Sequence, residues 1–171
     1  MESEIKSPGK FALNYGIILG LILVIIAALM YATGMILEGK QWPMIIYYVL
    51  FPAYLIYTIS QYKKSNDNLL SLSDALKVGV ATAVISALVY AVYALLLNYV
   101  IDPDFIEQIL EATREKLYEN PKMTDEMVET SMEWVEKFSS PVFGIAIWTA
   151  LSAILGLIYS LIGGLVMKKE S

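Results

Sequence analysis

Four blocks of this chain contain no Asp, Glu, Lys or Arg and are each long enough to cross a bilayer. No other feature of the sequence constrains the fold as tightly. The blocks are Phe11–Leu37, Gln41–Tyr62, Val78–Ile101 and Ser139–Met167. The hydrocarbon core of a bilayer takes about 20 apolar residues as helix, and every block meets that length. The chain is 57% hydrophobic, above the roughly 45–50% of ordinary soluble domains, and the excess is concentrated in these blocks. The first block is too long for the apolar region of a secretory leader and no clear small-residue cleavage signal follows it. Acids as well as lysines precede it, so it reads as a permanent span.

The reading is therefore an all-α integral membrane four-helix bundle, a single membrane domain over 1–171. Its spans lie near 11–37, 42–62, 74–101 and 141–167, with an acidic helical insert at 102–140 between spans three and four. Cysteine and histidine are both absent. That removes disulfides, thiolate nucleophiles, zinc sites of the usual kind and imidazole acid–base chemistry. The remaining routes, a carboxylate pair, a Ser–Lys dyad or a carboxylate-bound metal, need charges held in the membrane or in a cleft. The four blocks contain none. Glu107 and Glu111, Glu111 and Glu115, and Glu129 and Glu133 each share a helical face at a spacing of four, but a solvated acidic face explains that spacing equally well. No enzyme activity, cofactor or metal is expected, and no nucleic-acid partner.

Small residues mark where helices approach. In the first span Ala12, Gly16 and Gly20 recur every four residues, with Ala28 and Ala32 read as returning to the same face. In the third, Ala75, Gly79, Ala83, Ala87 and Ala91 form an unbroken ridge, and in the fourth Ser152, Gly156, Ser160 and Gly164 repeat it. Side chains this small let backbones approach closely, so spans three and four are expected to cross at Gly79, Ala83 and Gly156. A leucine at Val89 should matter less than one at Gly79 or Gly156. The second span differs, carrying Tyr47, Tyr48, Tyr54, Tyr57 and Tyr62, with a kink expected before Pro52.

The insert holds eleven acids against Arg114, Lys116, Lys122 and Lys137, a net −7 in a chain of net −5. Asp102-Pro103 reads as the cap and first residue of one helix, and Asn120-Pro121 stops it. Thr124 with Asp125 and Glu126 starts a second. Both are amphipathic, with Phe105, Ile106, Ile109, Leu110, Leu117 and Tyr118 on one and Met127, Val128, Ser131, Met132, Trp134, Val135 and Phe138 on the other. A hairpin burying the two stripes together is the simplest outcome, with the membrane or a partner as other places for them to lie. It leaves Glu111, Glu115, Glu129 and Glu133 as a candidate partner surface. Upstream, Ser73-Asp74 reads as the start of the third span's helix.

Lys6, Lys10, Lys63, Lys64, Lys77, Lys168 and Lys169 flank one side of the spans and Lys40 the first loop on the other. The positive-inside rule then puts both termini in the cytoplasm and the insert outside the inner membrane. The run Ser71-Leu72-Ser73-Asp74-Ala75-Leu76-Lys77-Val78-Gly79, the exit Asp102-Pro103-Asp104-Phe105, Tyr15-Gly16 with Gly20, and Ser139-Ser140-Pro141 before a span closed by two lysines together resemble a family of small four-span membrane proteins of unknown function, found mainly in Bacteroidota. The resemblance implies an inner-membrane location and the four-span layout, and no activity. Asp74 stands where glutamate is expected in many relatives.

Two functional readings follow. In the first, an interaction or assembly protein, the bundle sits in lipid and the hairpin contacts a membrane or periplasmic protein, or a second copy. The second is a small oligomeric transporter or channel component, its path lined by Asn14, Tyr54, Tyr57, Thr82, Ser86, Asn98, Thr149 and Ser152.

Overall fold

Ser7 and Pro8 open the first helix, the serine hydroxyl accepting from Lys10 N (3.4 Å) and the proline taking a first-turn position where no N–H is needed. A computed structural model describes residues 7–40 and 42–170; residues 1–6, among them Met1 and Lys6, together with Gln41 and Ser171 lie outside it. The helices are α1 (Pro8–Ala32), α2 (Trp42–Ser65), α3 (Leu72–Leu96, extended by a π-helical turn Leu97–Ile101), α4 (Phe105–Tyr118), α5 (Asp125–Phe138) and α6 (Pro141–Met167). No strand forms among the described residues; Leu70 and Lys169 make one isolated antiparallel bridge. Four helices, α1, α2, α3 with its extension, and α6, are long and apolar enough to cross a bilayer.

Helix ends follow local chemistry, and three depart from the sequence reading. The first span stops at Ala32, short of residue 37, because Thr33 turns its hydroxyl back to Leu29 O (2.7 Å) and Gly34 takes φ +70, a left-handed stop that glycine adopts freely. The cap of α3 is Ser71 and not Ser73. Ser71 Oγ accepts from Asp74 N (3.0 Å) and donates to the Asp74 carboxylate (2.8 Å), a reciprocal capping pair at a spacing of three. Asp102 does not cap α4, which starts at Phe105, because its carboxylate is engaged elsewhere. Thr124 does cap α5, accepting from Met127 N. α2 runs as one helix with Pro52 inside it.

Helix α3 is the axis of the bundle. It runs parallel to α1 and antiparallel to α6 and packs most extensively on both, while α2 closes the remaining side more loosely. Gly16 and Gly20 of α1 receive Ile85 and Val89 of α3: a Cβ built at Gly16 would lie 2.7 Å from Ile85 Cβ, and one at Gly20 2.5 Å from Val89 Cβ. Val89 is therefore part of the α1–α3 contact. On its neighbouring face α3 meets α6, where a Cβ at Gly156 would lie 2.6 Å from Ala83 Cβ and one at Gly164 2.9 Å from Ala75 Cβ. Gly79 abuts Ser160, whose hydroxyl is hydrogen-bonded to Gly156 O, and Ala87 and Ser152 are buried on the same ridges. The α1 ridge does not return through Ala28 and Ala32. At about 100° per residue, residue 28 stands roughly 160° from residue 12, and the buried face continues instead through Leu23 and Ala27.

Around this spine the bundle is inverted relative to a water-soluble one. Its buried positions on α3 and α6 include Ala75, Gly79, Thr82, Ala83, Ser86, Ser152 and Ser160, while Leu21, Ile25 and Leu29 of α1, Val92 of α3 and Leu151, Ile154, Leu161 and Leu165 of α6 are exposed. Apolar surface of that extent is untenable in water and ordinary in lipid. Two larger-residue clusters fill the space beside α2: Phe11, Ile59, Tyr62, Leu70 and Val78 toward the termini, and Leu19, Leu23, Phe51 and Leu55 beyond them.

Gly156→Ala is expected to lower thermal stability in detergent, overpacking of this kind costing about 1–3 kcal/mol, since the obstructing atom is Ala83 Cβ, which has no rotamer to move. Gly144→Ala, with nothing within 4 Å of its Cβ position, should cost nothing. Equal losses at the two sites would remove the close α3–α6 crossing.

Candidate functional site

The region with most polar structure is the bundle end formed by the α1–α2 loop, the π-helical turn and the α4–α5 hairpin. It is organised by Asp102. The π-turn delivers this residue with its N–H on Leu97 O (2.8 Å), and Asp102 then accepts from Tyr31 Oη (3.0 Å) and from Gln108 Nε2 (3.1 and 3.2 Å to its two oxygens). Phe105, nearly fully buried, meets the Tyr31 ring edge-on at 5.1 Å. Eleven residues further along the chain, Lys116 Nζ donates to Leu37 O (2.8 Å) beside Gly39, whose φ of +61 suits a residue with no side chain. Helix α4 is thus tied at one end to α1 and at the other to the α1–α2 loop.

Helix α5 returns along α4. Val128 and Met132 are buried in the hairpin, Val135, Ile109 and Leu117 are half-buried, and the rim carries Arg114–Glu136 (3.3 Å) and Tyr118 Oη to Glu129 (3.0 Å). The hydrogen bond to the Glu129 carboxylate holds the Tyr118 hydroxyl above its ordinary value of 10.0. With the folded-state value above the unfolded one, that contact contributes below pH 10.0 and fades only as pH rises past it. The expected apolar stripe of α5 is only partly buried: Met127, Trp134 and Phe138 remain exposed. The hairpin is two-layered, and one α4 face cannot cover an apolar arc this wide.

Among the four acids singled out from sequence, Glu111, Glu115, Glu129 and Glu133 are all exposed, and Glu129 alone is held by an internal partner, Tyr118. Among the described residues no three carboxylates converge on a common point. Of the polar residues named for a transport path, Ser152 is buried on the α6 ridge. Thr82 and Thr149 bond to Val78 O and Ile145 O one turn back, Ser86 bonds to Ala83 O, Asn98 Nδ2 bonds to Ala94 O, and Asn14 is exposed on the outside of α1. Tyr54 and Tyr57 cluster with Tyr15, ring centroids 6.0–6.4 Å apart.

At the opposite end, Lys63 Nζ caps the last turn of α6 through Met167 O (2.7 Å), and Leu70 and Lys169 exchange backbone hydrogen bonds of 2.9 and 3.0 Å. This ties the α2–α3 loop to the chain after α6. Neither this tie nor the Asp102 latch follows from the sequence pattern. A lone acid at the end of an apolar block was the available signal for the latch.

Small-residue spine, lipid-type exterior and tethered acidic hairpin define the class: an all-α, four-span integral membrane bundle with one extramembrane helical module. Residues 14–169 match the model of a family described as a protein of unknown function, DUF4199, and the chain belongs to that family. No curated protein and no solved structure matches it.

Asp102→Ala leaves the Tyr31 hydroxyl and the Gln108 amide without their acceptor and should loosen α4. Amide exchange across Phe105–Tyr118 should accelerate while that in α3 and α6 is unchanged. Unaltered exchange in α4 would mean that the latch does not hold the hairpin.

Proposed function

We propose that this protein is a non-enzymatic interaction or assembly protein of the inner, cytoplasmic membrane, and that its acidic hairpin is a recognition surface for a basic protein partner. The observation that carries the reading is that Glu111, Glu115 and Glu133 are exposed on a hairpin whose apolar contacts and two tethers fix its position on the bundle. A pre-positioned surface loses little conformational freedom on binding, and its carboxylates attract cations over about 8 Å at physiological ionic strength. The transport reading finds less support, because the hydroxyls of Thr82, Ser86 and Ser160 are bonded to their own helices.

Orientation is inferred from the cations that directly flank the spans. Lys10, Lys63, Lys64, Lys77, Lys168 and Lys169 gather at one end, and Lys40 and Lys137 adjoin span ends at the other. Cytoplasmic termini follow from the positive-inside rule. The chain has no native cysteine, so Ser65→Cys and Glu119→Cys are clean reporters. An impermeant thiol reagent applied to intact spheroplasts should label position 119 and not 65, and the reverse pattern would overturn the orientation.

Changing Glu111, Glu115 and Glu133 together to Gln spares the Tyr118–Glu129 and Arg114–Glu136 contacts. The variant should fold normally and lose, on co-purification from native membranes in mild detergent, a partner whose retention by the native protein falls as salt rises. Recovery of the same proteins with the same salt dependence would reduce the acidic face to a solvated surface.

A further inference from the structure

Helix α5 has three sectors, although a hairpin helix in water needs only two. Projected at about 100° per residue, Val128, Met132 and Val135 form the sector buried against α4. Asp125, Glu126, Glu129, Glu133 and Glu136 occupy the flank to one side, and Met127, Trp134 and Phe138 form a separate stripe on the other. That third sector is open: Met127 is 48% exposed, Trp134 57% and Phe138 46%. Its rings are ordered against one another. Trp134 stacks on Phe138 at 5.9 Å and 12°, and Phe138 meets Phe143 of α6 at 5.1 Å. Phe143 and Val142 are themselves exposed on the first turn of α6, at the head of an outward face that continues through Ile147, Leu151 and Ile154.

The aromatic stripe is therefore continuous with the surface that α6 presents to lipid. From these contacts we infer that α5 lies along the bilayer surface, its Met127–Trp134–Phe138 stripe set into the headgroup–acyl boundary and its acidic flank turned away. Three features fit a lipid surface as the occupant. Tryptophan and phenylalanine on one face of an amphipathic helix are the residues that partition into this zone. Lys137, exposed, borders the stripe with its Nζ 5.3 Å over the Trp134 ring, where its stem can run along lipid with the cation at phosphate depth. The five acids lie on the far side of the helix, where anionic headgroups repel them least. The inference requires that α6 cross a bilayer and does not depend on a basic partner for the acidic flank.

Position 127 makes the decisive measurement. Phe138 is near the membrane in any arrangement, since α6 begins at Pro141. Met127 lies about 16 Å away along α5, at 1.5 Å per residue, and reaches lipid only if the helix lies flat. Nitroxides attached to Met127→Cys and, separately, Glu133→Cys in the full chain, reconstituted in phosphatidylglycerol–phosphatidylethanolamine nanodiscs, report collisions with lipid-soluble oxygen and with a water-soluble nickel chelate. The expected result is a reversal of sign: oxygen dominant at 127, nickel dominant at 133. Adding Trp134→Ser and Phe138→Ser should convert 127 to nickel dominance while far-ultraviolet circular dichroism still reports a folded helical chain. Nickel dominance at 127 in the native stripe would show α5 standing in water. Protection from both reagents would mean that protein, not lipid, covers the stripe. Either result overturns the proposal.

Discussion

Close approach of backbones along α3 is the constraint on which the rest of this molecule depends. Between helices already surrounded by hydrocarbon, burial of apolar side chains supplies little driving force, and association relies on packing contacts that lengthen as side chains grow. α3 meets this limit on two neighbouring faces. Toward α6, Ala75, Gly79 and Ala83 oppose Gly164, Ser160 and Gly156; toward α1, Ile85 and Val89 fill the notches left by Gly16 and Gly20. The two contacts differ in kind, small against small and branched against glycine, and so α1 and α6 are not interchangeable around α3. α2 has no glycine ridge and fills its side with Phe51, Leu55 and Ile59.

That spine fixes the two ends of the bundle, and the ends are built from different chemistry. At one, lysines serve helix C-termini, as Lys63 does for α6, and the strand-like Leu70–Lys169 pairing closes the loop between α2 and α3. At the other, a π-helical turn adds a residue's worth of displacement at the end of α3 and brings Asp102 within reach of Tyr31 and Gln108. The proposed function depends on this second end. A recognition surface hung on flexible connections loses entropy on binding, whereas α4 is tied to α1 through Asp102 and to the α1–α2 loop through Lys116. If α5 also lies on lipid, the acidic flank gains a defined direction as well as a position.

Much of this was legible in the chain. Block lengths and the absence of charge fixed the four spans, because the bilayer imposes a length and a polarity on anything that crosses it. The ridges through Gly79, Gly156, Gly16 and Gly20 were visible as a spacing of four. Their partners were not, since a ridge does not state which neighbour it meets. The spacing set the α3 and α6 ridges face to face without assigning Gly16 and Gly20 to α3, and it did not show that Val89 fills the Gly20 notch. Steps of four also lead too far along α1, where drift of the helix moved Ala28 and Ala32 off the buried face. Near helix ends the local signals were present but competed: Ser71 and Ser73 both precede Asp74, and the hydrogen bond goes to the one three residues upstream.

What the sequence by itself determined was the partition of the chain between lipid and water, the helical character of each part, and the segregation of eleven acids into one module. These are properties of composition and period, which act locally and need no knowledge of the fold. Only the tertiary structure decided that Asp102 serves as a latch and not a helix cap, that α4 is tied to the α1–α2 loop, and that Met127, Trp134 and Phe138 are left outside the hairpin. Each of these outcomes is a competition between alternative partners for the same group, a carboxylate with three possible donors or an apolar arc wider than one neighbour covers, and such a competition is settled by distances that exist only once the helices have packed.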